Sequence, residues 1–276
     1  MTDHSEIQGP QRGGRSHPVP AVLSIAGSDS GGGAGIQADL KAFARCGVHG
    51  MTAITALTAQ NTVGVSVVEQ VSPAMIVEQV RAVATDIGVD AVKVGMLGTA
   101  ETVAAVVDAL SLVGAAPVVV DPVMVAESGA ILLDDDARRA LIGDLLPLAA
   151  VATPNLPEAR ALTGLGEDAD AERLARAVHS LGPAAVVVTG GHSERMVDIF
   201  FDGSDLVEIP GKRHPDGASH GSGCTHSSAL AALLACGETP LEAAREANRI
   251  ASAAVAAGLR GIGAGPGPVN VLAGAS

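Results

Sequence analysis

Apolar residues fall in short blocks along this chain, and each block ends on glycine or a small polar residue. Ala21–Ala26 is the first block, closing at Gly27, and predicts a buried strand. The loop Ser28–Gly35 follows, with four glycines in eight residues, and Ile36–Cys46 predicts a helix. Met51–Val71, rich in Thr, Val and Ile and broken at Asn61 and Gly64, predicts one core strand and then a small extended excursion. Pro73 suits the first turn of a helix reaching Ile87. Strands at Ala91–Val94, Pro117–Val120, Ala149–Thr153 and Ala184–Val188 then alternate with helices at Ala100–Leu112, Asp134–Leu145, Leu156–Leu162 and Asp168–Leu181. Met196–Phe201 and Asp205–Ile209 read as a hairpin turning at Asp202–Ser204. Two Ala-rich helices, Gly223–Cys236 and Pro240–Ala257, precede a Gly/Pro-rich tail over Gly258–Pro268.

This alternation predicts an α/β fold: a mostly parallel central sheet with helices on both faces. Polar or glycine residues follow the C-terminal end of nearly every strand: Gly27-Ser28-Asp29, Gly95-Met96, Asp121-Pro122, Pro154-Asn155 and Thr189-Gly190-Gly191. In open α/β sheets the ligand crevice lies along that edge. No linker or repeat divides the chain, so residues 21–276 are expected to form one domain behind a disordered tail of residues 1–20.

Composition narrows the picture. The chain has 276 residues with no Trp, no Tyr and three Phe, so Val, Leu, Ile and Ala must fill the core, as buried parallel strands tend to require. A formal charge of -13 argues against a nucleic-acid-binding face, and any phosphate must be held locally by amides, a helix N-terminus or a metal ion. The three cysteines lack metal-ligand spacing and do not look like a disulfide framework. The N-terminal stretch has no apolar run suited to a signal peptide, and no window is long enough for a membrane span; a cytoplasmic protein is expected.

Four constellations could carry chemistry. His220-Gly221-Ser222-Gly223-Cys224-Thr225 precedes an Ala-rich helix. Its glycines let successive N–H groups converge where the helix dipole is positive, which would make an anion hole. Cys224 in the first turn would have its thiolate favoured. An ordinary glycine-rich cap with Cys224 as core filler reads as well. Asn155 and Glu158 share one side of a helix start, suited to a water-rich Mg2+ sphere or to a capping box. Asp121, at a strand end, could help hold Mg2+ or sit in a solvated turn. Asp39, in the helix after the glycine-rich loop, could bind a substrate amine or hydroxyl or be surface. The glycines of that loop do not fit G-x-G-x-x-G, and no G-x-x-x-x-G-K-[ST] occurs.

Six stretches in order, from Ile25–Lys41 through Ile54–Thr62, Lys93–Leu97, Asp121–Val125, Thr153–Ala159 and His220–Thr225, resemble the hydroxymethylpyrimidine/phosphomethylpyrimidine kinases of thiamine synthesis. The resemblance runs from about Val22 to Asn270. It implies a ribokinase-like three-layer sandwich with a small β flap, a homodimer, and ATP with Mg2+ as cofactors. It also implies two phosphorylations, of 4-amino-5-hydroxymethyl-2-methylpyrimidine and then of its monophosphate. Gly27, Asp39, Gln60, Met96 and Val123 would line the pyrimidine pocket. Gly221, Ser222, Gly223 and Cys224 would form the anion hole, with Cys224 as base. Asp121, Asn155, Glu158, Thr189 and Gly191 would face ATP, and Asp121 and Glu158 the Mg2+ through water. Relatives often carry Lys where this chain has Thr189; Lys212 and Arg213 are candidate substitutes. Some relatives with the same Gly-x-Gly-Cys element phosphorylate pyridoxal, so a pyridoxal kinase is the alternative enzyme, and a non-catalytic pyrimidine-binding module the alternative class.

Overall fold

A computed structural model describes residues 18–126, 129–130, 132–190 and 196–273. Gly191 and residues 1–17, most of the expected tail, lie outside the described residues. The elements are β1 (Ala21–Asp29), α1 (Gly35–Arg45), β2 (His49–Gln60), β3 (Val65–Gln70), α2 (Pro73–Asp86), β4 (Ala91–Val94), α3 (Ala100–Leu110) and β5 (Val118–Val120). There follow α4 (Asp135–Ala140), β6 (Val151–Ala152), α5 (Leu156–Thr163), α6 (Ala171–His179) and β7 (Val186–Val188). The chain ends with β8 (Val197–Phe201), β9 (Leu206–Pro210), α7 (Ser222–Ala235) and α8 (Pro240–Ala256).

Among the described residues nine strands form one sheet in the order β3-β2-β1-β4-β5-β6-β7-β8-β9. Strands β2, β1, β4, β5, β6 and β7 are parallel, whereas β3, β8 and β9 run antiparallel to their neighbours. Residues along each strand divide between two apolar layers because side chains alternate across a sheet. Val92, Val94, Val118, Val120, Val186 and Val188 pack with Ile76 of α2, Val103 of α3 and Leu174 of α6. Ala91, Val119 and Val187 pack on the other face with Phe43 of α1, Leu230 of α7 and Ala247 of α8. The expected layered α/β architecture is thus present, with Val and Ala doing the filling.

Local signals account for most element ends. Ser72, Thr99, Asp134, Asp170 and Thr239 each cap a helix through the side chain. The expected helix Asp134–Leu145 keeps its α form only to Ala140 and continues as a wider π-type turn over Leu141–Leu145. The expected hairpin turns where anticipated, with Asp202 Oδ1 accepting the amides of Ser204 at 2.9 Å and Asp205 at 2.8 Å. The extended excursion is β3, which folds back on the C-terminal end of β2 as a two-stranded flap.

From β1 the chain moves outward to β2 and β3, then returns to β4 on β1's other side. The crevice favoured for ligands therefore lies at the C-terminal ends of β1 and β4. The first turns of α1 and α7 stand beside it.

Candidate active site

The centre of the site is a buried ion cluster. Lys93 projects from β4 with no exposed surface, as does Asp39 on α1. Lys93 Nζ donates to Asp39 Oδ1 at 3.0 Å and Oδ2 at 3.2 Å, and stands 3.7 Å from Asp121 Oδ2. Ser24 of β1 donates to Asp39 Oδ2 at 2.6 Å and Ser228 of α7 to Oδ1 at 2.7 Å. Ser227 donates to Asp121 Oδ2 at 2.9 Å. A lysine inside a valine strand needs such partners, since a buried unpaired charge is very costly. Burial works against the ammonium, but Asp39, Cys224 and Asp121 outweigh it and hold the Lys93 pKa above its ordinary value.

This arrangement corrects the expectation for Asp39. Its carboxylate is turned inward and saturated by Lys93 and two serines, so it does not line a substrate pocket. Gly27 and Met96 do lie together, since a Cβ added at Gly27 would stand 3.4 Å from the Met96 sulfur. Val123 is half-buried beyond β5. Gln60, Asn61, Thr62, Val63, Ala126, His220, Gly265 and Pro266 line a cleft of about 230 Å3.

Above the cluster, two loops lock together. Asp29 collects the amides of Gly31 at 2.7 Å, Gly33 at 2.9 Å and Ala34 at 2.8 Å, and meets His220 Nε2 at 3.3 Å. Burial would raise the Asp29 pKa, but His220 and the three amides lower it. Gly221 caps α7 with φ of 84°, and a side chain there would collide with the Gly33 carbonyl. The amides of Gly223 and Cys224 lie in the first turn of α7, where no preceding turn can receive them. The Ser222 amide is committed to Ser219 O at 2.9 Å and so is taken out of the expected anion hole.

The Cys224 thiol differs from expectation. Burial pushes it up to about 12; Lys93 and the Gly35 amide pull the other way, while Asp121 and Asp39 add to the rise. A first-turn position favours a thiolate, but here desolvation and two carboxylates win.

Asn155 and Glu158 form a reciprocal capping box, each bond 2.9 Å long. Burial, then the charge of Asp121, raises the Glu158 pKa to about 8, against the amides of Asn155 and Met124. Burial raises Asp121 as well, opposed by Lys93 and Ser227. Glu158 has no cation beside it among the described residues, and Asp121 shares the Lys93 ammonium with Asp39, so the two carboxyls carry more negative charge than the site offsets and suit a hard cation. Among the described residues no group of three or more His, Cys, Asp or Glu is placed to hold a metal ion. Any ion there would need water and phosphate oxygens to complete its sphere. Thr189 donates its amide to Pro154 O at 2.9 Å and bridges Asn155. Lys212 and Arg213 are exposed beyond β9.

Sequence reasoning passed over Ser24, gave Asp29, Ser227 and Ser228 no role of their own, and met Lys93 and His220 only as motif members. A lysine flanked by buried valines was the readable signal, because such a residue demands a carboxylate partner.

The fold, the glycine-capped helix end and the carboxyls along one sheet edge define an α/β small-molecule kinase. The phosphomethylpyrimidine kinase family model matches residues 29–270. A hydroxymethylpyrimidine/phosphomethylpyrimidine kinase of Rhizobium meliloti is 52% identical over 255 residues, covering 90% of this chain and 96% of that one. The thiamine biosynthesis bifunctional protein ThiED of Geobacter sulfurreducens is 46% identical over 262 residues, spanning 93% of this chain and 53% of that protein. The pyridoxal kinase of Staphylococcus aureus in complex with ADP superposes with a TM-score of 0.84 at 34% identity, covering 92% of this chain and 94% of that one. The chain belongs to the phosphomethylpyrimidine kinase family.

Proposed function

We propose that this kinase transfers the terminal phosphoryl group of ATP to 4-amino-5-hydroxymethyl-2-methylpyrimidine, and then to the monophosphate, in thiamine biosynthesis. The observation that carries the reading is the junction of Asp29, His220 and Gly221 at the start of α7, the helix whose Ser227 and Ser228 reach Asp121 and Asp39 of the Lys93 cluster. Phosphoryl transfer asks mainly for positioning and charge stabilisation, and this junction supplies both.

In this reading Gly221 lets the loops approach, and the amides of Gly223 and Cys224 receive the transferring group. Ser222 acts through its side chain or only as the helix's first residue. Gln60 stands at the cleft wall where a heterocyclic amide partner is needed, with Gly27, Met96 and Val123 as the flatter walls. Cys224 takes the hydroxymethyl proton as a thiolate, a role that needs both its burial and the carboxylate charge beside it offset when the ligands bind. Asn155, Glu158, Asp121, Thr189 and Gly191 would face ATP. Asp121 and Glu158 fit Mg2+, which when bound would neutralise phosphate charge. The first test is ADP formation by the purified chain with ATP, Mg2+ and the hydroxymethylpyrimidine; no turnover above background refutes the reading.

The likeness to a pyridoxal kinase supports a second reading, phosphorylation of pyridoxal in the same cleft. A homodimer is supported by the exposed apolar side chains of Leu57, Val67 and Val68 on the β2–β3 flap. One domain over residues 21–276 and a cytoplasmic location complete the proposal; among the described residues no helix is long and apolar enough to cross a membrane.

A further inference from the structure

Beside the nucleotide edge of the sheet lies a second buried polar cluster, built on Asp198 of β8. Asp198 Oδ1 accepts the Gly190 amide at 2.7 Å, and Oδ2 accepts Asn248 Nδ2 of α8 at 2.8 Å. Gly190 follows Thr189, whose own amide is tied to Pro154 at 2.9 Å and whose backbone bridges Asn155. The backbone at Gly190 is pressed so closely on the Val197 carbonyl that a Cβ would collide with it. One carboxylate therefore holds the end of β7 against β8 and α8.

His226, on α7, faces the same carboxylate. Its Nε2 is 3.8 Å from Asp198 Oδ2, and both ring nitrogens are buried without a hydrogen-bond partner among the described residues. Leaving two such atoms unsatisfied costs stability, and native proteins keep few of them. The carboxylates facing His226 are Asp198 from β8 and Asp121 from beyond β5. From α8 the cluster receives the neutral Asn248 amide, while Lys93 of β4 and Asp39 of α1 are engaged with each other. Burial lowers the His226 pKa, against the pull of Asp198 and Asp121, so the ring is uncharged near neutrality. Once protonated, it would compete for Asp198 Oδ2, the oxygen that now receives Asn248.

We propose that Asp198 is a positioning residue for the bound nucleotide, setting the Thr189–Gly190 turn against Asn155 through Gly190, with the unpartnered imidazole of His226 as its competitor. The proposal rests on the reading that the β6–β7 edge holds ATP, and it concerns binding rather than the identity of the acceptor.

The test is calorimetric binding of ADP to the full chain, without pyrimidine, alongside steady-state kinetics. Asp198→Asn should weaken ADP binding and raise the ATP KM by about tenfold, the loss expected for one charge-assisted hydrogen bond. The pyrimidine KM should stay within about twofold and kcat at saturating ATP within about threefold, as binding-only effects require. In the unsubstituted protein, ADP affinity should fall on acidification below the ordinary imidazole range, about pH 6.5, more steeply than in His226→Leu. Both proteins share the ionisation of the nucleotide's phosphate and of Glu158, so the difference between the two slopes reports His226. Unchanged ADP affinity in Asp198→Asn, or equal rises in both KM values, would overturn the proposal. Should Asp198→Asn not fold, identical pH slopes for the unsubstituted protein and His226→Leu overturn it instead. Failure of ADP to bind the unsubstituted protein refutes the ATP-edge reading itself. Tight ADP binding without pyrimidine turnover refutes only the acceptor assignment.

Discussion

Lys93 and Asp39 are 54 positions apart, yet the ammonium nitrogen donates to both carboxylate oxygens, at 3.0 and 3.2 Å, with neither side chain exposed. Breaking one partner of a buried pair leaves an uncompensated charge. Lys93→Met should therefore destabilise the fold by roughly 3–5 kcal/mol, and Lys93→Met with Asp39→Leu should recover part of that loss. Chemical denaturation of the three proteins checks it. A double variant no more stable than Lys93→Met would show that the pair is not the source of the loss.

Asp29 joins the two glycine loops through three amides and His220. Its pKa is lowered in the fold, so its stabilising contribution is present above the ordinary carboxylate value and is lost as pH falls below it. Melting temperatures of the unsubstituted protein and Asp29→Asn should therefore converge below about pH 4, near the unfolded aspartate value. A gap that stays constant down to pH 3 would exclude this role.

Glu158 shows the opposite sign. With its pKa raised to about 8 in the fold, its proton is lost earlier in the unfolded chain. Stability should therefore fall between the ordinary glutamate range and pH 8. Glu158→Gln keeps an acceptor for the Asn155 amide and removes the titration. In metal-free buffer its melting temperature should gain on the unsubstituted protein from pH 5 to pH 8.5. A difference independent of pH would mean that the burial of this carboxyl is relieved in solution.

Gly221 adopts a left-handed φ of 84° and leaves no space for a side chain against Gly33. Gly221→Ala combines backbone strain with displacement of a loop. It should cut kcat/KM by about two orders of magnitude, the scale for misplacing an anion-holding group. Near-normal kinetics would show that the α7 end does not hold the transferring group.

Much of the fold was legible along the chain because its signals are local. Strand ends at Gly95, Asp121, Asn155 and Thr189, the capping box at Asn155 and Glu158, and the hairpin at Asp202 rest on neighbours a few positions away. Asp39 was misread because a carboxylate in a helix looks the same whether it faces water or a lysine from a distant strand. The upward shift of the Cys224 thiol was missed for a related reason. Its place in the first turn of α7 is a local fact, whereas the desolvation and the carboxylates that raise its pKa come from β5 and α1. The Asp198–His226 contact likewise spans elements that share no sequence pattern.

The most direct measurement compares the hydroxymethylpyrimidine and pyridoxal as acceptors, with ATP and Mg2+, in the unsubstituted protein and in Cys224→Ala. The account predicts that kcat/KM favours the pyrimidine, and that Cys224→Ala lowers first-step kcat by about two to four orders of magnitude, the scale of a general base. The second step, whose phosphate nucleophile is already ionised, should lose less. Preference for pyridoxal would contradict the acceptor assignment, and a loss in Cys224→Ala below about tenfold would contradict the role given to the thiol.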